Sequence, residues 1–287
     1  MEIRDDVGGG GEMADLADGR GILYPARLPT FHRAAAPPDL ADRVRWFWVP
    51  RWRLAPGRVS RQRLLPFPAA NLVVGPDGVT LSGPTTGVSH RDLSGTGWAV
   101  GALLRPAGIA ALADEPRDLR DSEVVLDLAG WGLGELHAAV AGAMSDPDED
   151  AGRDRAVAAL ADWVRVHLPA PDDAGATANA MEDLVATDPE VVRVEQVAQR
   201  LGMSARAVQR LARRYVGLAP LAIVRRYRLQ EAARRLREEP GLGIADVAAD
   251  LGYADHAHLS SDFRTVLGLT PSEYRRPDAD ADADVGE

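Results

Sequence analysis

Arg206, Gln209, Arg210, Arg213 and Arg214 recur at three- and four-residue intervals, so on a helix they share one outward face. That set suits the reading of double-stranded DNA in its major groove. Arginine donates a bidentate pair to guanine O6 and N7, glutamine pairs with adenine N6 and N7, and further guanidiniums reach phosphates. Val208 and Leu211 supply the inward face that such a helix needs. Just upstream, Val194, Val197, Ala198 and Leu201 mark a short amphipathic helix, Gly202 permits a sharp turn, and Ser204 is a residue that caps the next helix. The spacing predicts a helix-turn-helix whose second member, residues 205–215, reads bases.

The pattern is written twice. Val197-Ala198-Gln199-Arg200-Leu201-Gly202 is answered fifty positions later by Val247-Ala248-Ala249-Asp250-Leu251-Gly252. Val216-Gly217-Leu218-Ala219-Pro220 is likewise answered by Leu267-Gly268-Leu269-Thr270-Pro271. Such a repeat implies two similar small units. Aligning the caps, Ser204 with Asp255, sets Arg206 against Ala257, Gln209 against Ser260, Arg210 against Ser261 and Ala212 against Phe263. The second unit keeps its apolar scaffold (Val247, Leu251, Leu259, Phe263 and Leu267) but lacks long base-reaching side chains. The first unit is therefore expected to carry most of the discrimination, and the second to contribute through His256, Ser260 and backbone contacts. The base-reading set is Arg206, Gln209, Arg210, His256, Ser260 and Ser261. The phosphate set is Ser204, Arg213, Arg214, Arg225 and Arg264. His256 and His258 sit two apart on a helix and do not face one another, so they form no metal pair.

Residues 191–276 resemble the AraC/XylS family of transcription regulators. The second unit carries the signature as Ala249-x-Leu251-Gly252-Tyr253-x-Asp255-x-x-x-Leu259-Ser260-x-x-Phe263-Arg264, followed by Gly268-Leu269-Thr270-Pro271-x-x-Tyr274-Arg275. The resemblance implies a long helix, here residues 221–239, that holds two recognition helices in successive major-groove segments. Arg225, Arg226, Arg228, Arg234, Arg235 and Arg237 crowd that linker. Phosphate contact by some of them competes with a solvated face on which Glu231, Glu238 and Glu239 pair with several. Ser261 departs from the family, many of whose members carry arginine there. The front of the chain also resembles the small barrel-like sensor domain of some members, without the His-x-His and Glu set of a cupin-type metal site. The expectation is no metal and no cofactor.

Charge separates the chain as the motifs do. The whole is acidic, with a formal net charge of −10. Residues 189–276 hold 15 arginines against 10 acids, whereas residues 277–287 hold five acids and no base. All 33 basic residues are arginine, so only their location is informative. The expected organisation is a disordered 1–20, a sensor or assembly domain at 21–168, a linker at 169–175, a DNA-binding domain at 176–276 and a disordered acidic tail at 277–287. That tail is a candidate competitor of DNA for the arginines, against the plainer reading of a solvated end.

Within 21–128, short apolar runs broken by Pro and Gly predict strands: residues 44–49, 71–74, 79–81 and 98–104. Gly75-Pro76-Asp77-Gly78 predicts a hairpin turn. Residues 131–144 and 153–167 switch to helical spacing, and either cover their own sheet or pair with a second copy of the chain. The fold class is α+β, a β-rich barrel or sandwich with flanking helices followed by an all-α head. Strict alternation places Val44, Trp46 and Trp48 on one face, and Arg45, Phe47 and Val49 on the other. Trp46, Trp48, His90 and Arg105 are the candidate lining of a ligand pocket, against simple core packing for the tryptophans.

Cysteine is absent, which excludes disulfides, thiolate zinc sites and cysteine-dependent alkyl transfer. No Ser/His/Asp set, export segment or 18-residue apolar stretch occurs, so the expected protein is a non-enzymatic cytoplasmic regulator with no membrane contact. Its expected partners are duplex DNA, a small effector, RNA polymerase and a second copy of the chain. A non-sensing dimeric regulator and an enzyme domain fused to a DNA-targeting head are the competing readings.

Overall fold

A computed structural model describes residues 30–276. The expectations for residues 1–20 and for the acidic tail lie outside the described residues. The front region begins with β1 (Thr30–Ala35), β2 (Val44–Arg53), β3 (Val59–Leu64), β4 (Asn71–Gly75) and β5 (Gly78–Ser82). It continues with β6 (Ser89–Ser94), β7 (Thr96–Trp98), β8 (Val100–Leu104), α1 (Pro106–Leu112), a 3-10 turn (Pro116–Leu119) and β9 (Glu123–Val125). Helices follow: α2 (Leu133–Met144), α3 (Glu149–His167), α4 (Asp173–Thr187), α5 (Val194–Arg200) and α6 (Ala205–Tyr215). The last are α7 (Pro220–Glu238), α8 (Ile244–Asp250), α9 (His256–Leu267) and α10 (Pro271–Arg275).

The β-rich front and the helical head match the expected class. Seven strands form one antiparallel sheet in the order β1-β2-β8-β4-β5-β9, with β7 also on β2, while β3 and β6 form a separate two-stranded ribbon. Among the described residues β1 and β9 do not pair with each other, so the sheet is open and not a closed barrel. Helices cover both of its faces. The hairpin at Pro76-Asp77 joins β4 to β5 through the Gly75–Gly78 pair, and the run at 98–104 is broken at Ala99 into β7 and β8.

On one face Val44, Phe47, Val49, Leu72, Val74 and Leu104 meet Leu136, Val140, Met144, Leu160 and Val164 of the α2–α3 pair. This pair packs on its own sheet. On the other face Trp46, Phe67, Ala69 and Leu103 share a core with Met181, Val208, Leu211, Ile223, Val224 and Tyr227. The second unit has its own core around Phe263, Leu259, Val247 and Leu236, which Leu65 of the front region joins. Residues 169–175, expected as the linker, are a short loop and the first turn of α4. That helix is fixed to the front region by Asn179, whose Oδ1 accepts the Ala107 N–H and whose Nδ2 donates to Asp42 O.

Strict alternation along β2 misplaces Val44. The register against β8 shifts between Val44 and Trp46, a bulge at Arg45, so Val44 lies with Phe47 and Val49 while Trp46 faces the head. One extra residue resets the two-residue period for everything beyond it. The bulge also aims Arg45 at α4, with Arg45 Nη2 3.1 Å from Asp183 Oδ1 and Nε 4.0 Å from Glu182 Oε1. Arg105 joins the cluster, with Nη2 2.6 Å from Asp183 Oδ2 and Nε 3.4 Å from Glu182 Oε2. Tyr227 of α7 donates its hydroxyl to Glu182 Oε1 at 2.8 Å. Burial opposes the Arg45 charge, but Glu182, Tyr227 and Asp183 outweigh it and hold its pKa above the ordinary value.

Glu182 is the sealed member of this cluster, with 3% of its side chain exposed against 50% for Asp183. Glu182→Ala strands the Tyr227 hydroxyl and takes the buried carboxylate from both Arg45 and Arg105, and is expected to cost about 3–5 kcal/mol of stability. Asp183→Ala removes a half-solvated partner and is expected to cost about 1 kcal/mol or less. Urea denaturation of both variants checks the ratio.

Candidate nucleic-acid interface

The two head units are built alike. In the first, Val197 and Ala198 of α5 are buried, the chain turns at Gly202 with φ of +63°, and Met203 N donates to Ala198 O at 2.8 Å. In the second, Val247 and Ala248 of α8 are buried, Gly252 turns with φ of +66°, and Tyr253 N donates to Ala248 O at 2.9 Å. Both glycines occupy the left-handed region that side chains disfavour. Ser204 Oγ accepts the Ala207 N–H at 3.2 Å and Asp255 Oδ1 accepts the His258 N–H at 2.7 Å, each as an N-cap.

Helix α6 buries Val208, Leu211, Ala212 and Tyr215. Arg206, Gln209, Arg210, Arg213 and Arg214 are all exposed on the opposite side. None of these four arginines forms an ion pair among the described residues, although Arg214 lies 5.8 Å over the Tyr215 ring.

Helix α9 buries Leu259, Phe263, Val266 and Leu267 and exposes His256, Ala257, Ser261, Arg264 and Thr265. Ser260 corrects the expectation. It is 5% exposed, with its hydroxyl 3.4 Å from His256 Nε2, and it presents no group to a base. Its aligned partner Gln209 sits at the same helical position but is long enough to emerge past its neighbours. His258 does not join His256 in a pair: its Nδ1 accepts the Ala254 N–H at 3.4 Å and its ring lies edge-on to Tyr253 at 5.2 Å.

The linker helix α7 divides its arginines. Arg225 is exposed. Arg226 donates to Thr86 O, and Arg228 Nε donates to Leu251 O at 2.6 Å with its guanidinium 4.0 Å over the Tyr253 ring. Burial pushes both pKa values below the ordinary arginine value. Arg234 pairs with Glu231 and Glu238, and Arg235 with Glu231 and Asp250. Arg237 Nη1 donates to the Tyr274 hydroxyl at 3.3 Å. Arg226 thus ties the head to the front region, and the other four hold the head together.

The four candidate pocket residues do not converge. Trp46 is buried against Phe67, edge to face at 5.9 Å, with the Arg33 guanidinium 4.4 Å over its ring. Trp48 donates Nε1 to Asn71 Oδ1 at 2.9 Å and stacks on Phe31 at 6.4 Å. His90 is exposed on the separate ribbon, and Arg105 is occupied by Glu182 and Asp183. Trp46 sits at the junction with the head because the bulge turns it there, which alternation alone does not reveal.

The front region also grips the head at points that local spacing gives no sign of. Gln230 Nε2 donates to Pro66 O at 3.0 Å, Arg63 Nη2 to Leu267 O at 3.1 Å, and Val88 N to Val266 O at 3.1 Å. At the end of α6, a Cβ on Gly217 would lie 2.6 Å from Pro116 of the 3-10 turn. The carboxyl-terminal ends of both α6 and α9 are thus docked on the front region, while their capped amino-terminal ends face solvent. Among the described residues no helix is long and apolar enough to cross a membrane.

Comparison with known proteins agrees with this geometry. Residues 197–277 match a helix-turn-helix domain family, and residues 32–124 match a domain family of unknown function, DUF6597. The transcriptional activator RhaS of Escherichia fergusonii is 33% identical over 87 residues, 30% of this chain and 31% of that protein. A Streptomyces lividans regulator described as AraC-like is 35% identical over 133 residues, 42% of this chain and 43% of that protein. The chain therefore spans less than half the length of these relatives. The structure of ToxT from Vibrio cholerae aligns over 80% of this chain and 97% of that one at 12% identity, with a TM-score of 0.41. The doubled head is thus a helix-turn-helix domain, similar over this part of the chain to those of AraC-like transcription regulators.

Proposed function

We propose that this protein is a cytoplasmic, non-enzymatic regulator that binds duplex DNA sequence-specifically and answers to a small effector through its front region. The observation that carries the reading is the exposed face of α6, where Arg206, Gln209 and Arg210 stand unburied beside Arg213 and Arg214. In this reading the first three reach base edges, and Arg213, Arg214, Arg225 and Arg264 reach phosphates, with Ser204 at the groove edge. His256 and Ser261 form the weaker second reading set. The 19 residues of α7 span about 28 Å, close to the roughly 34 Å between successive major-groove segments once the units at each end are added.

A second reading, a non-sensing regulator whose front region only orders or pairs the head, is favoured by the failure of Trp46, Trp48, His90 and Arg105 to surround a cavity. A thermal-shift screen of metabolites on the full chain separates the two. The full chain is required because removing the head exposes Trp46, Phe67 and Leu103. Stabilisation by one ligand class supports sensing.

Binding-site selection tests the asymmetry of the two units. Arg210→Ala is expected to lose about 1–3 kcal/mol of discrimination at one base position, whereas Ser261→Ala leaves the selected site nearly unchanged. Equal losses would overturn the division. Arg213→Ala is expected to weaken binding to all duplexes and lower the salt slope by about one. Arg226→Ala is expected to leave that slope alone and lower the denaturation midpoint instead, since its guanidinium is held by Thr86 O.

A further inference from the structure

Next to the head the otherwise acidic front region carries a basic island. Residues 54–64 contain Arg58, Arg61 and Arg63 and no acid, whereas residues 30–188 as a whole contain 15 arginines against 22 acids. The island lies on the β3–β6 ribbon, which is separate from the main sheet. Side chains on a strand alternate, so Val59, Arg61 and Arg63 share a face, opposite Ser94, Asp92 and His90 of β6.

That face meets the end of the second recognition helix. Arg63 Nη2 donates to Leu267 O at 3.1 Å, and a Cβ on Gly268 would lie 3.9 Å from the same guanidinium. His256, Ser261, Arg264 and Thr265 of α9 and its C-cap Gly268 are all exposed, and the last of them lies beside Arg63 of the ribbon. Beyond it stand Arg58, exposed, and Arg61, which is exposed and held by Asp92 through two hydrogen bonds, Nε to Oδ1 at 2.8 Å and Nη2 to Oδ2 at 3.0 Å, so that a phosphate would share or displace that carboxylate. On the other face of the ribbon Arg91 is held by Glu123.

We propose that the β3–β6 ribbon is a third DNA-contacting element, laid along the phosphate backbone beside the groove that α9 enters, with Arg58 and Arg61 as phosphate ligands. The proposal rests on the DNA-binding reading above. Charge complementarity and contact with the end of α9 select duplex DNA as the occupant. The chemistry of the second unit creates the need for it: with His256, Ala257 and Ser261 at its outer face, α9 has few groups long enough to grip a groove. Phosphate contacts fix the register of a helix without reading sequence. A ribbon clamped to Val266 and Leu267 supplies such contacts from a fixed position.

The test compares the full chain with an Arg58→Ala/Arg61→Ala double variant and an Arg58→Lys/Arg61→Lys control. Each is titrated with its selected duplex and with an unrelated duplex across a salt series, and footprinted with hydroxyl radicals. The alanine variant is expected to lose affinity for both duplexes by a similar factor, and to lower the salt slope by about one to two. Its footprint is expected to shorten beside the second half-site. The lysine control keeps slope and footprint because it keeps the charges, and an unchanged melting temperature in both variants excludes misfolding. An unchanged slope and footprint in the alanine variant, with the parent chain binding normally, overturns the ribbon proposal alone. A parent chain that binds neither duplex overturns the regulator reading with it.

Discussion

Trp46, Phe67 and Tyr227 stack edge to face through the middle of the molecule, with ring centroids 5.9 and 5.6 Å apart, and the orientation of everything else follows from that contact. One ring belongs to the sheet, one to the loop after β3 and one to the linker helix. Rings of this size bury a large apolar area and prefer this T-shaped geometry. The Tyr227 hydroxyl must also find a partner once buried, and Glu182 provides it at 2.8 Å. Glu182 is tolerable in that place only because Arg45 and Arg105 neutralise it. Apolar contact and ion cluster thus fix α7 on the sheet in position and in rotation about its axis. Since α7 is a single helix of 19 residues with a unit at each end, both units inherit that orientation.

The treatment of arginine separates what holds the fold from what the fold presents. On α7 the guanidiniums other than that of Arg225 are consumed by Glu231, Glu238, Asp250, the Tyr274 hydroxyl and backbone carbonyls. On α6 they are left unsatisfied. Arg206 even sits in the first turn, where there is no acidic residue and the helix dipole disfavours a cation. Four like charges on one helix face repel one another, and stability alone does not select that arrangement. Local rules broken without compensation inside the fold mark places where the compensation comes from outside. A polyanion supplies it.

Much of the head was legible in the sequence because its determinants are local. The paired glycines, the caps and the three- to four-residue apolar spacing placed α5 and α6 to within a residue or so, and the family resemblance did the same for α7. The front region resisted for a different reason. The single-residue bulge at Arg45 shifts the parity of β2, which moves Val44 to one core and leaves Trp46 facing the other. Nothing in the local pattern marks it. The ion cluster joins residues separated by up to 138 positions, and its meaning appears only when α4 lies across the strand ends. Ser260 failed on a finer point. Its helical phase was read correctly from the cap, but a short hydroxyl at the margin of a buried stripe, with His256 beside it, does not reach where a glutamine does.

The same comparison explains why two units of one design diverge. In the first, Ala212 occupies the slot that Phe263 fills in the second, and the core of that unit is shared with Phe67, Trp46 and Leu103 of the front region. The first unit can therefore give α6 over to charged side chains without depending on its own small core. The second unit has a fuller core of its own around Phe263 and Tyr274, edge to face at 5.9 Å, and receives only Leu65, Val88 and the ribbon from outside. A unit that is internally complete and externally clamped is suited to holding a position. One that borrows its core and projects unpaired guanidiniums is suited to reading, and the shared linker helix makes the accuracy of the reading unit depend on the rigidity of the holding one.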